Sequence, residues 1–202
     1  MSLKRRKMRL TIIQIMEENP PSENFSLKDL PSASKIDVVS RCILSIFSNN
    51  IEQLDISFQA IFSKTDIHVL TVNELPLTDE IYDEISVASL IKEVMQNTKS
   101  SNGDISWASV VDFQQYIFSV VSNHQTTYYL HENGLSIKEI KDVLLREESL
   151  CFIIGGRHDI SQEHEKILDS LGAQQISLGK KIYLASTCIT SVLFELEKQF
   201  EH

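Results

Sequence analysis

The chain has 202 residues, 42% of them hydrophobic and 23% charged, an ordinary globular balance with enough apolar material for a sizeable core. Its formal net charge is −9; the first ten residues hold five of the nineteen bases and no acid, leaving 14 basic against 28 acidic side chains in the remainder. That balance excludes a broad basic surface for gripping nucleic acid, so any nucleic-acid contact is expected to be local.

No apolar run approaches the roughly 18 residues of a membrane span. Lys4, Arg5, Arg6 and Lys7 imitate a charged leader, but Arg9, Gln14, Glu17 and Glu18 interrupt the apolar stretch behind them, so no secretory signal is read and the cytoplasm is the expected location. Cys42, Cys151 and Cys188 are too scattered for a disulfide framework or a CxxC site, and the histidines show no HExxH spacing. No metal is expected.

In chain order, Met8 to Met16 alternates and is rich in β-branched residues, which predicts a first strand. After a proline-containing loop, Ile36, Val39, Cys42, Ile43, Ile46 and Phe47 recur at helical spacing, with Ser34 as the expected cap. Ile56 to Phe62 and Ile67 to Val72 read as strands, Ile85 to Met95 as a helix, and Lys99 to Asp104 as a polar turn around Gly103. Val110 to Val121 reads as helical. Thr126 to Leu130 reads as a strand, ended by the turn signal His131-Glu132-Asn133-Gly134. An amphipathic helix is expected over Ser136 to Leu145, then a continuous apolar strand, Leu150 to Ile154, running into Gly155-Gly156. Ser161 to Leu171 reads as a helix closed by Gly172, and Gln175 to Leu178 as a strand meeting Gly179. A last helix spans Ser186 to Phe200. Apolar strands alternating with helices predict an α/β fold, a mostly parallel sheet with helices on both faces. No linker divides the chain, so one domain over 1–202 is expected.

In such sheets ligands settle beyond the carboxyl ends of strands. Three such ends carry glycine here, after Leu130, Ile154 and Leu178. Glycines let a backbone approach a ligand, although turns alone also call for them. No dinucleotide fingerprint, phosphate loop or nucleophile elbow is present. Cys188, at the head of the last helix, reads either as an activated thiol or as a small buried residue. Asp37 and Arg41, spaced i, i+4, read as a surface ion pair.

Several segments together resemble the archaeal-type tRNA pseudouridine-N1 methyltransferases of the knotted SPOUT superfamily. Phe25 to Pro31 and Ile36 to Cys42 are similar to that family's "LxDLP" loop and "LDxLxRC" helix. Tyr128 to Gly134 matches "YYLHxNG", and Phe152 to Gly155 matches the start of "FIIGDHIG". Ile176 to Gly179 and Leu184 to Thr190 follow "ISLxPLxLHANHCIT", and Asp83-Glu84-Ile85 sits at a similar acidic helix start. The departures are Gly156-Arg157-His158-Asp159, Ser186-Thr187 and Leu193-Phe194, which bear on substrate recognition and proton handling.

The resemblance implies a C-terminal trefoil knot, a rare exception to unthreaded chains, with S-adenosylmethionine held by three knot loops in a homodimer packed through the last helix. Carried over by position, Leu130, Gly155, Ile176, Ser177, Leu178, Gly179, Leu184 and Cys188 would bind the donor. Asp37 would assist loss of the acceptor proton and Arg41 would bind phosphate or ribose, unless the pair only braces the structure. The implied activity is methylation of N1 of pseudouridine in tRNA. The alternatives are a ribosomal RNA target, or a non-catalytic dimer that binds a nucleoside or RNA.

Overall fold

The computed structural model describes residues 7–49, 51–75, 83–96, 104–144 and 146–200, apart from the side chains of Asp142 and Val143. The basic start at Lys4 to Arg6, the polar turn around Gly103 and Leu145 lie outside the described residues.

β1 (Met8–Met16) and β6 (Ser149–Gly155) pair in parallel at the middle of a seven-stranded sheet, and β6 is buried along almost its whole length. Burial on both faces is why these strands read as near-continuous apolar runs. The order is β4-β3-β2-β1-β6-β5-β7, where β2 is Leu54–Phe62, β3 Ile67–Val72, β4 Ile105–Val110, β5 Thr126–Ser136 and β7 Gln174–Ser177. The five adjacent strands from β2 to β7 in that order pair in parallel; β3 is antiparallel to both its neighbours. Alternate residues of β1 feed two cores. Leu10, Ile12 and Met16 face one cluster, which contains α1 (Ile36–Phe47), α2 (Glu84–Gln96), the short α4 (Lys141–Leu144) and α6 (Ala185–Phe200). Ile13 and Ile15 face a second cluster, under α3 (Phe113–Val121) and α5 (Gln162–Ser170). Helices therefore cover both faces of a mixed, mostly parallel sheet, as the alternation predicts.

The C-terminal part departs from simple winding. β7 pairs with β5 and not with β6, and α6 returns to the first face, where it contacts both β6 and α4. The last helix thus lies against the sheet and also against the crossover joining β5 to β6, the placement expected of a chain end drawn through that loop.

Four local expectations are corrected. Ile105–Val110 is an edge strand, and Val110 belongs to it; α3 begins at Phe113, capped by Asp112, whose carboxylate accepts from the Gln115 N–H at 2.7 Å. Ser34 does not cap α1: Ser34 and Lys35 both adopt left-handed φ values of 52° and 62°, and Lys35 occupies the cap position without a side-chain bond. The amphipathic stretch after Ser136 forms turns and one helical turn, Lys141–Leu144, yet still buries Ile137, Ile140 and Leu144. The segment at His131 to Gly134 is an excursion within β5, since Leu130 and Leu135 both pair with Ile176 of β7.

Candidate active site

The parallel strands end on one edge, and there three connections converge: the 131–134 excursion, the 155–161 loop between β6 and α5, and the 178–184 loop between β7 and α6. They enclose a cavity of about 360 Å³ lined by Leu130, His131, Glu132, Asp159, Ile160, Gln162, Glu165, Ile176 to Tyr183, and Cys188. The chain reaches this shape through close backbone contacts. At Gly134 a Cβ would lie 2.5 Å from the Ile176 nitrogen and 2.6 Å from the carbonyl carbons of Gln175 and Ile176, so only glycine lets the excursion rejoin β7. The Ile137 N–H then donates to the Ser177 carbonyl at 3.1 Å, which ties the first loop to the base of the third. Ser177 is buried, and its hydroxyl accepts from the Gly179 N–H at 3.1 Å, bending the third loop over the cavity.

The second loop is held from the far side. Glu17, just past β1, accepts from His164 Nδ1 at 2.7 Å and from the Ser161 N–H at 3.2 Å, which fixes the start of α5. Partial burial alone would raise the Glu17 carboxyl, but the hydrogen bonds from Ser161 and His164 outweigh it and hold the group below its ordinary range. The His164 ring packs against Phe113 with centroids 4.0 Å apart. Gln162 and Glu165, three residues apart on α5, are thereby presented to the cavity.

Of the eight residues the resemblance assigns to the donor, Leu130, Ile176, Ser177, Leu178, Gly179 and Cys188 line the cavity. Gly155 and Leu184 do not. Gly155 instead receives its own loop: a Cβ there would collide with the His158 carbonyl oxygen, so this glycine shapes the turn that delivers Asp159 and Ile160. Leu184 points outward and is 65% exposed. The wall residues without a donor role from the resemblance are the polar and charged His131, Glu132, Asp159, Gln162, Glu165, Lys180 and Lys181, with Ile160, Ile182 and Tyr183. The Asn133 N–H donates to His131 Nδ1 at 3.1 Å, which turns Nε2 toward Glu165 Oε1 at 3.6 Å. Burial, and next the charge of Asp159, push the Cys188 thiol up to about 11, so it is protonated at neutral pH and unsuited to nucleophilic attack.

Asp37 and Arg41 are brought together but not into the cavity wall. Arg41 Nη2 meets Asp37 Oδ2 at 2.6 Å, and its Nε approaches Glu84 Oε1 at 3.3 Å, joining the first turns of α1 and α2. Asp37 Oδ1 is buried and has no partner among the described residues. Among the described residues no group of three or more His, Cys, Asp or Glu is placed to hold a metal ion, and no helix is long and apolar enough to cross a membrane.

Comparison with known proteins agrees with this architecture. Residues 8–200 match the family model described as "Putative SAM-dependent RNA methyltransferase". The tRNA (pseudouridine(54)-N(1))-methyltransferase of Methanocella arvoryzae is 29% identical over 183 residues, covering 87% of this chain and 92% of the relative. The enzyme of the same name from Methanococcus aeolicus is 31% identical over 187 residues, covering 86% and 90%. The crystal structure of Archaeoglobus fulgidus Nep1 bound to S-adenosylhomocysteine superposes with a TM-score of 0.64 at 14% identity, covering 96% of this chain and all of that one. That likeness concerns the fold, the mixed α/β architecture of the SPOUT trefoil-knot proteins. With nearly its whole length matched by the family model, the chain belongs to the SAM-dependent RNA methyltransferase family that includes the tRNA (pseudouridine(54)-N(1))-methyltransferases.

Proposed function

We propose that this chain transfers a methyl group from S-adenosylmethionine to N1 of a pseudouridine in tRNA, at position 54 as in the names of its relatives. The observation that carries the reading is the convergence of three carboxyl-edge loops on one cavity in a chain matched from 8 to 200 by the family model.

The cavity fits the donor. Its volume of about 360 Å³ falls within the range of small-molecule sites, roughly 300 to 1,000 Å³. Leu130, Ile176 and Leu178 offer apolar walls for an adenine ring, Lys180 and Lys181 suit a carboxylate, and Glu132, Asp159 and Glu165 suit cationic groups. When bound, the donor supplies a methyl group already activated on a positively charged sulfur. The protein's work is therefore to hold and orient both partners and to exclude water. Ser177 and Gly179 act through the backbone of the third loop, Gly155 through the shape of the second, and Leu184 through the lead into α6. Cys188 packs against the ligand from α6.

The acceptor nitrogen must lose a proton, which a nearby carboxylate assists. Asp37 is the proposed group, with Arg41 toward phosphate or ribose. The Arg41–Glu84 contact supports the other reading, in which the pair braces α1 on α2. An Asp37→Asn protein that folds and keeps full turnover assigns the pair to bracing. The proposed assembly is a homodimer through α6, supported by Tyr183, Leu184 and Phe194, which stand exposed around it. Light scattering at the mass of one chain would remove it. The proposed location is the cytoplasm, with the tRNA.

The deciding experiment is mass spectrometry of nucleosides from a strain lacking the gene. The expected result is loss of N1-methylpseudouridine from position 54 of tRNA, restored by the gene. Unchanged tRNA refutes the reading: loss from ribosomal RNA moves the target, and no loss despite intact donor binding marks a binding protein.

A further inference from the structure

We propose that the cavity selects its ligand by charge, holding the sulfonium-bearing donor more tightly than the neutral thioether left after transfer. The inference rests on the donor reading above. The charged side chains on the cavity wall are the carboxylates of Glu132, Asp159 and Glu165 and the ammonium groups of Lys180 and Lys181, with His131 set against Glu165. Three carboxylates against two ammonium groups leave the wall with one acidic group in excess, while His131, whose Nδ1 accepts from the Asn133 N–H, turns Nε2 toward Glu165. The donor carries a sulfonium, an ammonium and a carboxylate, a net +1; removing the methyl group removes the sulfonium charge and leaves the product neutral. The wall therefore complements the donor's charge and not the product's.

The arrangement of these groups supports the same conclusion. The carboxylates come from three separate segments, the 131–134 excursion, the 155–161 loop and α5, so acidic groups reach the cavity from three directions. Both lysines are neighbours on the third loop, on exposed, flexible stems suited to a single carboxylate at the rim. The acid is also felt inside: burial, and after it the Asp159 charge, raise the Cys188 thiol on another wall. Glu132 and Asp159 are exposed, and water screening keeps the preference modest, roughly threefold to tenfold. Such a preference would discharge the spent donor without any conformational step.

The test is calorimetric binding of three probes to the full chain: S-adenosylmethionine, S-adenosylhomocysteine, and sinefungin, which carries an amine in place of the sulfonium. The expected result is that both cationic probes bind roughly threefold to tenfold tighter than the thioether at low salt, with the gap narrowing at about 0.5 M salt. In the Glu132→Gln, Asp159→Asn double variant, donor affinity is expected to fall toward that of the thioether, while thioether affinity stays within about twofold. Equal or tighter thioether binding by the native protein overturns the inference, as does a gap that neither salt nor the double variant changes. The salt series on native protein decides the matter should the variant not fold. Should none of the three probes bind, the donor reading fails and takes the inference with it, an outcome distinct from equal binding by all three.

Discussion

Gly134→Ala is the sharpest test of how the three loops are assembled. The added Cβ would meet three backbone atoms of Gln175 and Ile176 at 2.5 to 2.6 Å, about 1 Å inside ordinary carbon contact. No side chain can swing away to relieve this, so the excursion must lift off β7. Overpacking of this kind costs about 1–3 kcal/mol. Lifting also loosens the Leu130 and Leu135 pairing with Ile176 and the Ile137-to-Ser177 hydrogen bond, at about 1 kcal/mol for each bond lost. The sum is about 3 kcal/mol, or a fall in Tm of roughly 6–12 °C for a chain of this size. Urea and thermal unfolding measure it, and donor affinity should fall in parallel because Leu130 and Ile176 both line the cavity. Gly155→Ala provides the contrast. Its obstacles are backbone atoms of its own loop, the His158 carbonyl oxygen and, at 3.2 and 3.3 Å, the Asp159 Cα and carbonyl carbon. That loop can open without breaking strand pairing, so the expected stability cost is smaller, about 1–2 kcal/mol, while donor affinity still falls as Asp159 and Ile160 move. A Gly134→Ala protein within about 0.5 kcal/mol of the parent, with unchanged donor binding, would refute the close-approach argument.

Cys188 should resist alkylation at pH 7.5 and react appreciably only as pH climbs toward its raised value of about 11; fast labelling at neutral pH, read by mass spectrometry, would contradict the packing role. Glu17 has a folded pKa below its ordinary value of about 4.3, so its contribution to stability is fully present above that value and is lost as pH falls through the folded one. Denaturation curves for Glu17→Gln should therefore depend less on pH below about 4.3 than those of the parent, and parallel curves would dismiss the pin at α5. Arg41→Ala should cost about 2 kcal/mol, more than Asp37→Asn, because it strands a mostly buried carboxylate near Glu84; equal costs would mean the pair carries no bracing charge.

How far the sequence is readable depends on how much burial shapes each segment. β1 and β6 are enclosed on both faces, so their apolar runs announce themselves. β4 lies at the sheet edge, with Ser106, Ala108 and Ser109 exposed, and has too little apolar alternation to stand out. Ile137, Ile140 and Leu144 have helical spacing and are buried as expected, but local turns satisfy that spacing as well as a helix would. Ser34 shows how a good capping residue is overridden when a tight left-handed turn brings the chain into α1. At the cavity, the strand-end glycines marked the three loops, and six of the eight assigned residues line it. The charged wall was not readable, because loop carboxylates and lysines are ordinary on any surface and only the fold brings Glu132, Asp159 and Glu165 together. The spacing of Gln162 and Glu165 on α5 was the one local signal, and it needed the orientation of that helix to acquire meaning.

The acidity that argues against a nucleic-acid partner takes on a different sense once the fold is known. A net charge of −9 would oppose RNA over a broad interface, but the chemistry requires only one exposed nucleotide to reach one edge of the sheet. On that edge the acidic groups line a cavity suited to a cationic donor, while Lys180 and Lys181 stand exposed at its rim, where a phosphate or a carboxylate can be met. Positive charge at that rim favours approach of a phosphate there. An overall repulsive chain with a local cationic lip suits an enzyme that must find a single loop position and then release it, because weak binding elsewhere shortens every unproductive encounter.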